Sequence, residues 1–136
     1  QYDTKIIVNV CGHAPEEYFA VVERLADEPI DMMEINISCP NVSEGGIAFG
    51  TDPAMAAEVT RAVKAASKKP VIIKLTPNVT DIVAIAKAVE GAGADAVSLI
   101  NTLMGMRIDL RKKAPIIKNK TVEMAQAYPI SYRVLP

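Results

Sequence analysis

The sequence predicts an α/β fold: about four consecutive βα units with parallel strands, forming part of a (βα)8 TIM barrel. Three observations carry this. Segments with strand periodicity alternate with segments of helical spacing, joined by short connections, and repeated βα units mean a parallel sheet. The run Val71-Ile-Ile-Lys-Leu75 is nearly all apolar, as expected of a strand covered on both faces. The unit spacing suits either an open doubly wound sheet or a barrel, and the loops decide for the barrel. Polar residues gather after the strands' C-terminal ends, and no glycine-rich dinucleotide turn follows the first strand. A complete barrel takes about 250 residues, so a chain of 136 residues would hold about half of one. It starts at Gln1 with a strand almost at once. The expectation is therefore an excerpt, residues 1–136, of a single barrel domain whose first and last strands lie elsewhere.

Lys5 to Val10 reads as the first strand, and Pro15 opens a helix with Tyr18, Val21, Val22 and Leu25 on its apolar side. Met33 to Ser38 is the second strand. A glycine-rich loop (Gly45, Gly46, Gly50) leads to Asp52 as N-cap with Pro53 at the first helical position. The helix that follows repeats Met55, Val59, Ala62, Val63 and Ala66 at helical spacing. After the third strand, Val71–Leu75, Thr80 or Asn78 caps a helix with the stripe Ile82, Val83, Ile85, Ala86, Val89, ended by Gly91 and Gly93. Ala96 to Ile100 is the fourth strand, followed directly by Asn101 and Thr102.

Composition narrows the function classes. A net charge of −1 gives no electrostatic case for nucleic acid or an anionic membrane. Two cysteines and one histidine are too few for a structural zinc site and do not make a disulfide scaffold. This fits a cytoplasmic setting, with no metal expected. No apolar run approaches the roughly 20 residues of a membrane span, and no signal-peptide pattern is present.

Read at their C-terminal ends, the strands offer Asn9 and Cys11, then Asn36 and Cys39, then Lys74 and Thr76, then Asn101 and Thr102. In a parallel barrel these ends converge on one mouth. The second strand alternates, with Glu34, Asn36 and Ser38 on one face and Ile35 and Ile37 on the other. It stops at Pro40 with the Cys39 thiol between two asparagines, Asn36 and Asn41. Taken alone, Cys39 also fits a small buried cysteine in a turn. Lys74 is in phase with Ile72 and opposed to Val71, Ile73 and Leu75. A buried ammonium needs an anion or acceptor, and an electron-rich flavin edge would supply one. The plainer reading is a lysine snorkelling from a strand end. The asparagines give donors and acceptors without charge, which suits a planar substrate with imide and carboxylate groups; asparagine is also common in turns after strands. Cys11 reads as packing and His13 as a loop or helix-entry residue. Arg107, Asp109, Arg111, Lys112 and Lys113 read as a solvated loop.

The segments Asn36-Ile-Ser-Cys-Pro-Asn41, Gly46-Ile-Ala-Phe-Gly-Thr-Asp-Pro53, Lys74-Leu-Thr-Pro-Asn-Val-Thr-Asp81 and Ile100-Asn-Thr-Leu-Met-Gly-Met-Arg-Ile-Asp109 together resemble the type B, class 1 dihydroorotate dehydrogenases of pyrimidine synthesis. The resemblance runs from about Lys5 to Thr121. It implies a barrel holding FMN at its C-terminal mouth, where (S)-dihydroorotate loses a hydride from C6 to the flavin and a proton from C5 to a base. By family position that base is Cys39; the class 2 enzymes carry serine there. Asn36 is then expected to contact substrate and flavin, and Asn41, Asn101 and Thr102 to hold substrate. Lys74, Asn9 and the backbone at Ile100 would line the flavin. The implied partner is an electron-transfer subunit carrying FAD and an iron–sulfur cluster, which passes electrons to NAD.

The chain departs from the family pattern after Thr121. A glycine-rich stretch that lines the flavin is replaced by Val122-Glu-Met-Ala-Gln-Ala127, before Pro129 to Arg133 returns to pattern. Val122, Glu123 and Gln126 would crowd a close backbone approach. Two rivals follow. One is the flavin domain of the dihydropyrimidine dehydrogenases, against which Asn41 and Phe49-Gly-Thr-Asp52 favour dihydroorotate. The other is an inactive partial barrel whose open strand edges favour oligomers over a monomer.

Overall fold

The computed structural model describes residues 3–38, 46–105, 107–115, 123–124 and 131–134. In chain order the elements are β1 (Ile7–Val10), α1 (Pro15–Leu25), β2 (Met32–Asn36), α2 (Gly46–Thr51), α3 (Pro53–Ala66), β3 (Val71–Leu75), α4 (Ile82–Gly91) and β4 (Ala96–Leu99). Short strands follow: β5 (Met104–Gly105), β6 (Ile108–Asp109), β7 (Ala114–Pro115), β8 (Glu123–Met124) and β9 (Ser131–Val134). Among the described residues no helix is long and apolar enough to cross a membrane.

β1 to β4 lie side by side in sequence order and pair in parallel, while α1, α3 and α4 pack against one another in a row. A doubly wound sheet would reverse its strand order at a switch point and put helices on both faces. Sequential order with the helices in one layer is barrel winding. β9 closes the far side of β4 in antiparallel register, with Leu99 opposite Ser131 and Ala96 opposite Val134. The segment that returns to pattern is therefore a strand, but one that runs against the other four.

The helix-side face of the sheet holds the core. Val10, then Met33, Ile35 and Ile37, then Val71, Ile73 and Leu75, then Val97 meet Tyr18 and Val22 of α1, Ala56, Val59 and Val63 of α3, and Ile85 and Val89 of α4. Burying a large apolar side chain of this kind stabilises the fold by about 1.5–3 kcal/mol. The strand alternation points to this layer, and so do Tyr18, Val22, Val59, Val63, Ile85 and Val89 of the helix stripes. Val21, Met55 and Val83, read as part of those stripes, are exposed, because each lies on the flank of its helix turned away from the sheet.

The caps agree with the sequence at α3, where Asp52 accepts from the Met55 N–H at 2.9 Å with Pro53 next in line. At α4 the cap is Asp81, not Thr80 or Asn78: its Oδ1 accepts from the N–H groups of Val83 and Ala84 at 2.9 and 3.0 Å. Aspartate one residue before the helix reaches these N–H groups directly, whereas Asn78 is engaged elsewhere. α1 starts without a side-chain cap on Ala14, and Glu17 instead turns back to accept from the His13 N–H at 2.8 Å. The chain turns from α4 into β4 at Gly93, whose φ of 98° suits a residue without Cβ. Helix α2, inside the glycine-rich loop, is an addition to the sequence reading.

The N-terminal ends of the strands are tied by charge. Asp95 accepts from Lys64 Nζ on α3 and from the Val71 N–H at the start of β3, both at 2.7 Å. Partial burial pushes its carboxyl up, but those two bonds outweigh it and leave its pKa below the ordinary aspartate value. A folded-state pKa below the unfolded one adds stability above the unfolded value, about 3.9, and loses it as pH falls through the folded value. Asp95→Asn is expected to cost about 1 kcal/mol at neutral pH, a charged hydrogen bond discounted for partial exposure. Urea denaturation of the two proteins should converge once the pH falls below the carboxylate range.

Candidate active site

The opposite face of the same strands is polar. Asn9 on β1, Glu34 and Asn36 on β2, Lys74 on β3 and Ser98 on β4 alternate with the core residues. Ser38 and Thr76 continue this face past the ends of β2 and β3. The register sets Asn9 beside Glu34 and Asn36 beside Lys74, which is itself beside Ser98. Glu34, Asn36, Ser38, Thr76 and Ser98 are all buried, so each needs a polar partner.

Glu34 finds one partner across β3 and the other beside it on β1. Its Oε1 accepts from Ser98 Oγ at 2.8 Å, and its Oε2 accepts from Asn9 Nδ2 at 3.3 Å. Lys74 Nζ stands 3.7 Å from Oε1. That is an ion pair but longer than a charge-assisted hydrogen bond of about 2.7–2.9 Å.

One step toward the C-terminal ends lies an amide and hydroxyl network. Asn101 Nδ2 donates to Asn36 Oδ1 at 3.0 Å and to Ser38 Oγ at 2.9 Å. The Ser38 N–H donates to Asn36 Oδ1 at 3.3 Å. The Ser38 hydroxyl has one proton to give and two acceptors in reach, Asn36 Oδ1 and the Lys74 carbonyl, each at 3.1 Å. From behind, the fully buried Tyr18 donates through its hydroxyl to the Asn36 carbonyl at 3.0 Å. The Asn101 N–H donates to the Leu75 carbonyl at 2.9 Å, so the chain beyond β4 stays against β3. Asn101 Oδ1 accepts from the Thr102 N–H at 2.7 Å, while the Thr102 carbonyl accepts from Asn78 Nδ2 at 2.7 Å. Thr76 Oγ1 accepts from both the Asn78 N–H and its Nδ2 at 3.2 Å.

The structure thus brings together Asn36, Lys74, Asn101 and, through Asn78, Thr102. Asn9 joins through Glu34. Ile100 sits between the end of β4 and Asn101, one residue beyond the strand. Cys39 and Asn41 lie outside the described residues; Ser38, immediately before Cys39, is held in the network. Cys11, expected as packing, is exposed at the end of β1, its thiol 3.5 Å from Asn9 Oδ1. Within the expected solvated loop, Arg107, Arg111, Lys112 and Lys113 are exposed and Asp109 is partly buried. Of the segment that departs from the family pattern, Glu123 and Met124 pair with Met104 and Gly105; Val122 and residues 125–127 lie outside the described residues.

Sequence reasoning assigned no place in the site to Glu34, Ser98 or Asn78. For Glu34 and Ser98 the signal was present, since both are in phase with the site residues on their own strands. Asn78 was read only as a helix cap.

Asn36 Nδ2 is buried with no acceptor among the described residues, and Lys74 Nζ makes no hydrogen bond among them. Both belong to the polar face near the strands' C-terminal ends, where barrels of this winding bind ligands.

Comparison with known proteins fits this arrangement. The sequence model of the dihydroorotate dehydrogenase family matches residues 1–125. The chain is 60% identical over 119 residues to the dihydroorotate dehydrogenase B (NAD(+)) catalytic subunit of Alkaliphilus metalliredigens, covering 88% of this chain and 39% of that protein. It is 56% identical over 137 residues to the protein of the same name from Lachnoclostridium phytofermentans, covering 99% and 46%. It is also 58% identical over 120 residues to dihydroorotate dehydrogenase A (fumarate) of Lacticaseibacillus paracasei, covering 88% and 41%. The chain therefore spans less than half the length of these relatives. A parallel βα array with its polar groups at the strand ends, matched by the family along nearly all of its sequence, places this chain in the dihydroorotate dehydrogenase family.

Proposed function

We propose that the full-length protein is an FMN-dependent dihydroorotate dehydrogenase that oxidises (S)-dihydroorotate to orotate in pyrimidine synthesis. The observation that carries this reading is the uncharged network of Asn36, Ser38 and Asn101 with the Lys74 ammonium beside it. A ring with imide N–H and carbonyl groups needs both donors and acceptors at fixed positions, and amides supply them.

The residues present also fit a flavin. The Lys74 ammonium and the Asn36 Nδ2 meet no hydrogen-bond acceptor among the described residues; the first suits the carbonyl-bearing edge of the ring, the second an acceptor on flavin or substrate. When bound, FMN supplies the hydride acceptor for C6 of the substrate. Lys74, Asn9, Asn36 and the backbone at Ile100 hold it in this reading, and Asn36, Asn41, Asn101 and Thr102 orient the substrate. Cys39 takes the C5 proton. A thiol suits that task because its ordinary pKa, about 8.5, lies much nearer neutrality than a hydroxyl's.

Residues 1–136 are one part of a single FMN-binding barrel domain. The relatives named as catalytic subunits support a partner, which we take to be an electron-transfer subunit with FAD and an iron–sulfur cluster, in a cytoplasmic oligomer. The type A relative named for fumarate is nearly as similar, so the electron acceptor must be tested directly.

The test is flavin content and anaerobic loss of visible flavin absorbance in the full-length protein. Stoichiometric FMN that bleaches with dihydroorotate supports the reading. FMN that ignores dihydroorotate and bleaches with dihydrouracil replaces it with the dihydropyrimidine dehydrogenase reaction.

A further inference from the structure

We propose that Glu34 is a positioning residue for Lys74: its carboxylate, fixed by Ser98 and Asn9, holds the ammonium beside the flavin and offsets part of its charge, setting the flavin's reduction potential. The inference rests on the FMN reading above.

Within β1 to β4, Glu34 is the one carboxylate and Lys74 the one ammonium. Only 9% of the Glu34 side chain and 18% of the Lys74 side chain are exposed, so water screens their interaction weakly. Here both carboxylate oxygens are taken by neutral donors, Ser98 at 2.8 Å and Asn9 at 3.3 Å, and the ammonium stands off at 3.7 Å. Fixed by Ser98 and Asn9, the carboxylate acts on Lys74 through its field, and among the described residues the ammonium donates no hydrogen bond that a ligand would have to displace. Reduction of the flavin adds negative charge. An ammonium beside the ring favours the reduced form, and a carboxylate behind that ammonium restrains the effect.

Glu34→Gln keeps the shape and an acceptor for Ser98 while removing the charge. In the full-length FMN-loaded protein it is expected to retain FMN and shift the two-electron reduction equilibrium toward reduced flavin about tenfold, roughly +30 mV. Glu34→Asp keeps the charge and should stay within about threefold of wild type. The potential is read by equilibrating the flavin with a reference dye, a measurement that loss of packing alone would not move in a charge-dependent way. An unchanged or lowered potential in a normally flavinated Gln variant overturns the inference. So do equal shifts in the Gln and Asp variants, or a folded Gln variant that no longer holds FMN. Wild-type protein without flavin would instead overturn the functional reading, and this inference with it.

Discussion

In the full-length protein, Cys39→Ser is expected to slow dihydroorotate-driven flavin reduction about 10²–10⁴-fold near neutral pH, the usual contribution of a general base, with FMN content unchanged. The exchange is nearly isosteric, so its effect is mainly chemical: a serine hydroxyl accepts the C5 proton only when something else helps remove its own. The deficit should therefore shrink as pH rises. The scaffold is suited to isolate this effect. Ser38, the preceding residue, is held through its own side chain by Asn36, Asn101 and the Lys74 carbonyl. Stopped-flow reduction across pH checks it; equal rates for Cys and Ser proteins at neutral pH would remove Cys39 from the proton transfer.

The strand period was legible in the sequence and the helix period only in part, since Val21, Met55 and Val83 fit the apolar stripes and are exposed. β3 falls on Val71–Leu75 as read, α3 begins behind its Asp52 cap, and Asn36, Lys74 and Asn101 converge because parallel strands end on one side. What stayed hidden depended on geometry between strands. Whether Glu34 points at a core or a site follows from alternation, but its reach across β3 to Ser98 requires the register. Asp81 and Asn78 are both competent caps, and only the path of the loop after β3 gives the helix to one and the Thr102 carbonyl to the other. Helix α2 was obscured because two glycines within six residues suppress any periodic signal. The family resemblance rested on four segments, and three of them meet in the hydrogen-bonded network; the fourth, Gly46 to Pro53, braces it from behind.

That brace makes Tyr18 the position where a single change should be most costly to stability. The ring is fully buried, its hydroxyl donates to the Asn36 carbonyl at 3.0 Å, and Phe49 meets it edge-on with centroids 6.3 Å apart. The neighbouring Gly50 lies so close to the end of β2 that a Cβ there would sit 2.6 Å from the Ile37 carbonyl oxygen. α1, α2 and the strand end are thus fitted to one another just before Cys39. Tyr18→Ala is expected to cost about 3–5 kcal/mol for the lost aromatic and the cavity it leaves, a large share of the roughly 5–15 kcal/mol that holds a domain together. Tyr18→Phe removes only the hydroxyl and should cost about 1–2 kcal/mol, because a buried carbonyl loses its side-chain donor. Urea midpoints of the three proteins, compared at unchanged slope, separate the two contributions. If the Tyr and Phe proteins unfold together, the Asn36 carbonyl gains nothing from the bond, and the Gly50–Ile37 approach alone sets the position of the strand end.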